Sequence, residues 1–467
     1  MIDTLALRCL TIKCALRGKL TTPEAGDDSV TDIISSISPK KAIVQANNIP
    51  YEIPSHWRWV KLSDLYTINP RVDADNDTMA AFIPMEKISP GFDRTFTYAE
   101  QPWEKASKNH TKFADGDVAF AKISPCFENR KSFIAEGLPN AVGGGTTELI
   151  ILRQKAMLPL FTYYVICDQR FINAGSKSYK GIVGQQRVKP NIIKNYLVPV
   201  PPLAEQKRIV ARVEEIFRIL DTIDAAQEKY AADAESLKAK LITAGIQGKL
   251  TEQLESDGTA EELYQQIQAE KQRLIKEGKI KKEKPLSEIK PEEVPFEIPR
   301  NWKWVRLNEI CKSVMDGDHQ PPPQTTEGMP FIVISNLSNG ALDFSNTRHV
   351  SKEYFDSLSN ERIAEQGDIL FTVTGSFGIP IKVETDQQFC FQRHIALLKQ
   401  LDCINTNYLL HVLKSEFVYK QCDDVALGVA QRTVGIKPLR NFLIPLPPLA
   451  EQKRIANKLD EVLSVLL

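Results

Sequence analysis

The chain has 467 residues, 42% of them apolar, 25% charged and 8% aromatic, too long for one core of ordinary size and too apolar for wholesale disorder. Its 59 Lys and Arg balance its 59 Asp and Glu, which excludes a globally basic nucleic-acid binder and leaves any anion-binding surface local. No run approaches the ~18 uninterrupted apolar residues of a transmembrane helix, and Asp3, Arg8, Lys13 and Arg17 interrupt any signal-peptide core.

In chain order, residues 1–49 read as a helical segment. Its "ALRGKLT" from Ala15 returns as "GIQGKLT" from Gly245, and Ile33, Ile34 and Ile37 are followed in kind by Leu263, Tyr264 and Ile267. Leu7, Thr11 and Cys14 mark its expected seam. At Pro50 a domain opens with "PYEIPSHWRWVKL", repeated from Pro295 as "PFEIPRNWKWVRL". Within 50–200, "DVAFAKI" and "TELIILR" are short, β-branched or aromatic, and predict twisted sheets. Gly116-Asp117-Val118 is a strand entry echoed by Gly367-Asp368-Ile369, and Gly143-Gly144-Gly145 reads as a flexible turn.

From Pro201, "PPLAEQKRI" starts a helix and returns intact from Pro447. Ile209, Val213, Ile216, Leu220, Ile223, Gln227, Tyr230, Ala234, Leu237, Leu241 and Ala244 step by four and three, a coiled-coil seam roughly 60 Å long at ~1.5 Å per residue. Residues 201–294 thus form a central helix and linker, the linker charged and proline-punctuated from Glu270. Residues 295–446 repeat the strand character in "PFIVIS", "DILFTVT" and "HIALLKQ"; 447–467 form a last helix with Ile455, Leu459, Val462 and Leu466. Because the piece after the first "PPLAEQ" helix is answered at the N-terminus, the repeat is cyclic. The expected fold is α+β: two mixed α/β domains separated by long antiparallel coiled-coil helices, a cyclic pseudo-twofold in which residues 1–49 complete the C-terminal helix region.

Catalytic furniture is missing. There is no G-x-x-x-x-G-K-[ST] loop, no H-E-x-x-H, no G-x-S-x-G and no paired-carboxylate signature. The eight cysteines lack C-x-x-C or zinc spacing and read as buried free thiols in a reducing cytoplasm. Charge is nevertheless uneven: residues 151–200 hold eight Lys or Arg against Asp168 alone, and 397–446 hold six bases against four acids. Such a field suits a polyanion held through its phosphates. Beside it, Gln185, Gln186 and Arg187 in one copy match Gln431 and Arg432 in the other, side chains suited to base edges.

The paired "PPLAEQKRI" starts, the "E-I-P-x-x-W-x-W-V-x-L" openings, the Gly-Asp strand entries and the "GKLT" helix ends resemble the specificity subunit of Type I restriction-modification systems over essentially the whole chain. The second domain, with "DGDHQPPP" from Asp316, "GDILFTVTGSFG" from Gly367 and "QRH" from Gln392, fits that pattern better than the first. The resemblance implies a non-catalytic, cytoplasmic chain whose domains 50–200 and 295–446 each read half of a split double-stranded DNA target. Its helices would set the spacer and dock two methyltransferase subunits that carry S-adenosylmethionine and modify adenine. Restriction/translocase subunits would add ATP and Mg; no cofactor is expected on this chain and no membrane partner.

The expected DNA contacts are Lys87, Lys122, Gln185, Gln186, Arg187 and Lys189 in the first domain, and His319, Gln320, Asn336, Thr374, Ser376, Gln431 and Arg432 in the second. Partner docking is expected around Glu205, Gln206, Arg208, Glu451, Gln452 and Arg454 on polar helix faces, and Trp57, Trp59, Trp302 and Trp304 are assigned to packing. Two competing readings are a free-standing sequence-specific or architectural DNA-binding protein, and a fragment of a fused restriction-methylation enzyme.

Overall fold

The computed structural model describes residues 1–37, 49–181, 185–317, 322–429 and 431–466. They divide into two compact units, Met1–Lys229 and Tyr230–Leu467. One helix, Leu203–Ile246, is continuous through the boundary and gives its first part to one unit and its last part to the other.

In the first unit the N-terminal helix Thr4–Ala15 is capped by Asp3, whose carboxylate accepts from Ala6 N at 2.9 Å. It buries Thr11, Ile12 and Ala15 in a core shared with Ile209, Val213, Phe217 and Leu220 of the long helix. Arg8 lies over the Phe217 ring and reaches Asp221 and Asp224 at 2.6 and 2.8 Å. The face is therefore offset from the expected seam: Leu7 is exposed, and the Thr11 hydroxyl turns back onto Leu7 O at 2.8 Å. On the long helix, Ile209, Val213, Leu220 and Ala234 are buried, but Tyr230 and Leu237 stand 58% and 44% exposed. The seam is covered toward the helix ends and open at Tyr230 and Leu237, on either side of buried Ala234. In the second unit, Ile242 and Ile246 of the long helix share a core with Ile455, Ala456 and Leu459 of Leu449–Val465.

Each unit opens and closes its sheet region with one antiparallel ribbon. Arg58–Lys61 pairs with Leu197–Val200, and Lys303–Arg306 pairs with Leu443–Leu446. Each then carries a four-stranded antiparallel sheet in the same order: Tyr66–Ile68, Leu149–Gln154, Val118–Ala121, Ser132–Ile134 in the first unit, and Cys311–Asp316, Ile395–Gln400, Ile369–Thr372, Pro380–Lys382 in the second. The expected strands "DVAFAKI", "TELIILR", "DILFTVT" and "HIALLKQ" fall on these elements, and "PFIVIS" falls on Met329–Ile332 of a second sheet.

A second sheet holds a parallel pair in both units, Met79–Ile83 beside Val142–Gly145 and Met329–Ile332 beside Cys390–Phe391. The glycine run 143–145 is thus a central strand, not a flexible turn. A Cβ on Gly144 would sit 1.8 Å from Ala106 O, so the absent side chain admits the helix Trp103–Ser107 against the sheet.

The repeated sequence anchors are a repeated set of bonds. Trp57 Nε1 donates to Glu205 at 2.8 Å, and Trp302 Nε1 donates to Glu451 at 2.8 Å. Thr21 and Thr251 donate to the same two carboxylates. Gly116 and Gly367 adopt φ of +88° and +96°, which frees Asp117 and Asp368 to accept from Ala114 N and Glu365 N. Arg153 forks onto buried Asp117 at 2.7 and 2.8 Å, while Lys399 reaches Asp368 at 2.8 Å. Hydrogen bonds to ionised groups contribute about 1.5–3 kcal/mol each, so the tryptophan–glutamate bonds hold each domain to its own helix and the aspartate pairs brace each sheet.

Candidate nucleic-acid interface

In the first unit, the turn after Val118–Ala121 meets the segment before the helix Pro190–Asn195. Val188 N donates to Lys122 O at 3.0 Å and Ser124 N donates to Gln186 O at 2.8 Å. Lys122 reaches Thr147 O at 2.7 Å through its ammonium, and Arg187 forks onto Glu148 with contacts of 2.7 to 3.1 Å. The Arg187 guanidinium holds the Glu148 carboxyl below its usual range. Lys122, Gln185, Gln186, Arg187 and Lys189 therefore share one ledge, with Gln185, Arg187 and Lys189 exposed. Lys87 is exposed on another element, the turn Met85–Lys87.

The second unit builds the same ledge from different side chains. Val434 N donates to Val373 O at 2.7 Å and Gly375 N donates to Arg432 O at 3.0 Å. Leu427 and Thr433 exchange two backbone bonds of 3.0 and 2.8 Å. Ser376 and Gln431 are exposed, and Arg432 lies over the Phe377 ring while paired with Asp423. His394, whose carbonyl accepts from Val373 N, occupies the place of Glu148, whose carbonyl accepts from Lys122 N. Burial and the neighbouring Arg393 lower its proton affinity.

Several expected positions need correction. Asn336 is buried, and its side-chain oxygen accepts from Val333 N at 3.0 Å, so it braces its own loop. Thr374 is on the ledge but buried, its hydroxyl without a partner. His319 and Gln320 lie outside the described residues. Glu205, Gln206, Glu451 and Gln452 are wholly buried rather than on polar helix faces. Gln206 holds Leu158 N and Gln452 holds Asn405 N, each at 3.0 Å, so these four side chains lock helix to domain and present nothing to a partner. Arg208 and Arg454 are partly exposed but occupied by Asp27 and Asp257.

The positive field is weaker than counting along 151–200 indicates, because folding brings Asp117 and Glu148 onto Arg153 and Arg187. Sequence reasoning missed Glu148 and Asp423, the acids that aim the two arginines, and no recurrence marks them. It also missed Leu427 and Val429, apolar and exposed at the turn of the second ledge.

No group of three or more metal-ligating side chains occurs among the described residues, and no described helix is long and apolar enough to cross a membrane. Of the eight cysteines, Cys167, Cys311, Cys390 and Cys422 are buried and the other four are partly exposed. The two ledges offer exposed amide, guanidinium, ammonium and hydroxyl groups, a set suited to contacts with a polyanion.

Known proteins place this geometry. The EcoAI and EcoEI specificity subunits of Escherichia coli Type I restriction enzymes are each 29% identical to this chain, over 98% of it and 88% and 89% of their own lengths. Among solved structures, the HsdS subunit of Thermoanaerobacter tengcongensis superposes with a TM-score of 0.53 at 22% identity, covering 89% of this chain and 92% of that one. A chain from a structural study of complex assembly and conformational transition in the type I R-M system gives 0.59 over the same shares, also at 22% identity. These two likenesses carry the fold: two mixed sheet regions linked by long helices. Residues 54–230 and 299–466 each match the family described as Type I restriction modification DNA specificity domain. With both of its repeats matched, the chain belongs to that family as a specificity subunit of a Type I restriction-modification system.

Proposed function

We propose that this specificity subunit reads a bipartite, asymmetric DNA target, with residues 50–200 on one half and 295–446 on the other. Residues 1–49, 201–294 and 447–467 form the helical frame. The observation that carries the reading is one ledge built twice on the same hydrogen bonds with different side chains: Lys122, Gln186 and Arg187 in the first unit stand where Val373, Arg432 and Thr433 stand in the second. Two readers of different chemistry on one scaffold favour two different half-sites.

Lysines fix the duplex through phosphates, which carry position but no sequence. A glutamine or arginine that forks onto a base edge discriminates by about 1–3 kcal/mol. Arg187 and Arg432 start from pairs with Glu148 and Asp423, so a base that takes either guanidinium must replace a carboxylate.

The chain is the non-catalytic part of the assembly. Its helices dock two methyltransferase subunits, which bring S-adenosylmethionine and flip the target adenine; restriction/translocase subunits bring ATP and Mg. With Glu205 and Gln206 committed internally, the open stretch of the long helix around Tyr230 and Leu237 is the better docking candidate. Shortening residues 210–240 by one heptad, with the facing helix intact, tests the spacer role. The modified sites should shift in spacer length or be lost, and an unchanged spacer would contradict the reading.

A further inference from the structure

On the second ledge, Val429 is fully exposed and Leu427 is 78% exposed, although both are branched and apolar. The flanks of their turn are held. Leu427 and Thr433 exchange backbone bonds in both directions, and Arg432 O and Val373 O tie the following residues to the turn at 373–375. Between the two apolar residues, Gly428 holds φ at +111°, where a Cβ would press on Gln431 O at 2.6 Å. The backbone thus presents Val429 and Leu427 beside exposed Gln431 and partly exposed Arg432. The first copy has the same order in sequence: Gly181 followed by Ile182 and Val183, then Gln185, Gln186 and Arg187.

We infer that Val429, with Leu427, is the apolar half of an A·T reader in the second half-site, packing on the thymine C5-methyl while Gln431 takes the adenine. The chemistry is complementary within one base pair. In the major groove adenine offers N7 and N6–H, which a glutamine amide can fork, and its partner thymine offers a methyl group that only an apolar side chain rewards. A turn that exposes an amide and an isopropyl group two residues apart, between held flanks, suits both. The proposal rests on the reading of this unit as a DNA half-site reader, and commits it to at least one A·T pair contacted by this turn.

The test uses the full complex with its methyltransferase subunits and duplexes carrying the mapped target. Each thymine of the second half-site is replaced in turn by deoxyuridine, which lacks only the methyl. One replacement should weaken binding about fourfold, the size of one buried methyl group. Val429→Ala should weaken binding to the normal duplex and abolish the thymine–uracil difference at that position. Val429→Thr, which keeps one γ-methyl on the same β-branched shape, should retain part of the thymine–uracil difference, and a complete loss would overturn the inference.

Intact site-specific binding that ignores every deoxyuridine would overturn the inference and leave DNA reading by this unit standing. A Val429→Ala complex that binds more weakly yet still tells thymine from uracil would overturn it too, assigning the turn a wedging role. Absence of any site-specific binding would instead sink the underlying function.

Discussion

The strand that pairs in parallel within the second sheet is Gly143-Gly144-Gly145 in the first unit and Cys390-Phe391 at the matching place in the second. In the first, the helix Trp103–Ser107 brings Ala106 O to where a side chain would be, and a fourth strand, Thr111–Ala114, extends the sheet beyond the glycines. In the second, Cys390–Phe391 is an edge strand, and the fourth strand, Gln324–Thr325, joins at the opposite edge beside Arg348–Val350. Yet the joints to the helices share their main bonds: Trp to Glu, Thr to Glu, Arg to Asp. What positions the domain is preserved and what the domain displays is remade. That division is what a subunit needs if one frame is to serve many targets.

The largest expected effect tests that division outright. Exchanging residues 295–446 for those of a relative should replace one half of the modified sequence and leave the other half unchanged, read by mapping methylated adenines. A change in both halves would break the autonomy of the units.

The joints come next. Glu451→Ala removes the acceptor of Trp302, Thr251 and Gln253 and leaves buried donors unsatisfied, so it should destabilise its own unit by about 3 kcal/mol. Glu205→Ala should do the same to the other unit, and a loss below about 0.5 kcal/mol in chemical denaturation would refute the shared lock.

Gly144→Ala sharpens the difference between the units. Its Cβ has no room against Ala106 O, so the first unit should lose about 2–3 kcal/mol, whereas Cys390→Ala, at the matching strand position, should cost about 1 kcal/mol. Equal costs would mean the two sheets pack alike after all.

A smaller effect separates anchoring from reading. Lys122→Ala and Lys189→Ala should weaken binding to all sequences alike and flatten the dependence of log K on log salt by about 0.9 for each phosphate no longer neutralised. Gln431→Ala should alter sequence preference and leave that slope unchanged.

The smallest is a pH effect at one joint. Asp27 is held at about 2 by the Arg208 guanidinium that donates to it, well below its free value. Its contribution is complete above the unfolded value near pH 4 and is lost as pH falls toward 2, so stability should drop across that window. Asp27→Asn should remove this part of the acid dependence.

Identical anchors such as "PPLAEQKRI" and "E-I-P-x-x-W" made the duplication legible, because residues that bond to one another must be kept together. The ledges were legible in part, since Gln431 and Arg432 answer Gln185 and Gln186. Polarity misled at Glu205 and Gln206: a charged residue on a helix reads as solvated, and only a partner across the fold explains its burial. A signal was present, for Trp57 and Glu205 recur together as Trp302 and Glu451.

The glycine strand was missed because composition cannot distinguish flexibility from a close approach of backbones. The N-terminal helix is apolar on two sides, with Leu5 and Leu10 exposed and Ile12 and Ala15 buried, so periodicity alone could not choose its inner face.

The most direct measurement is the map of modified adenines in a genome whose host expresses this chain with its methyltransferase partner. Two unlike short motifs at a fixed interval, one on each side of an unread spacer, are predicted. A continuous motif, or a palindrome with identical halves, would contradict one scaffold carrying two different readers.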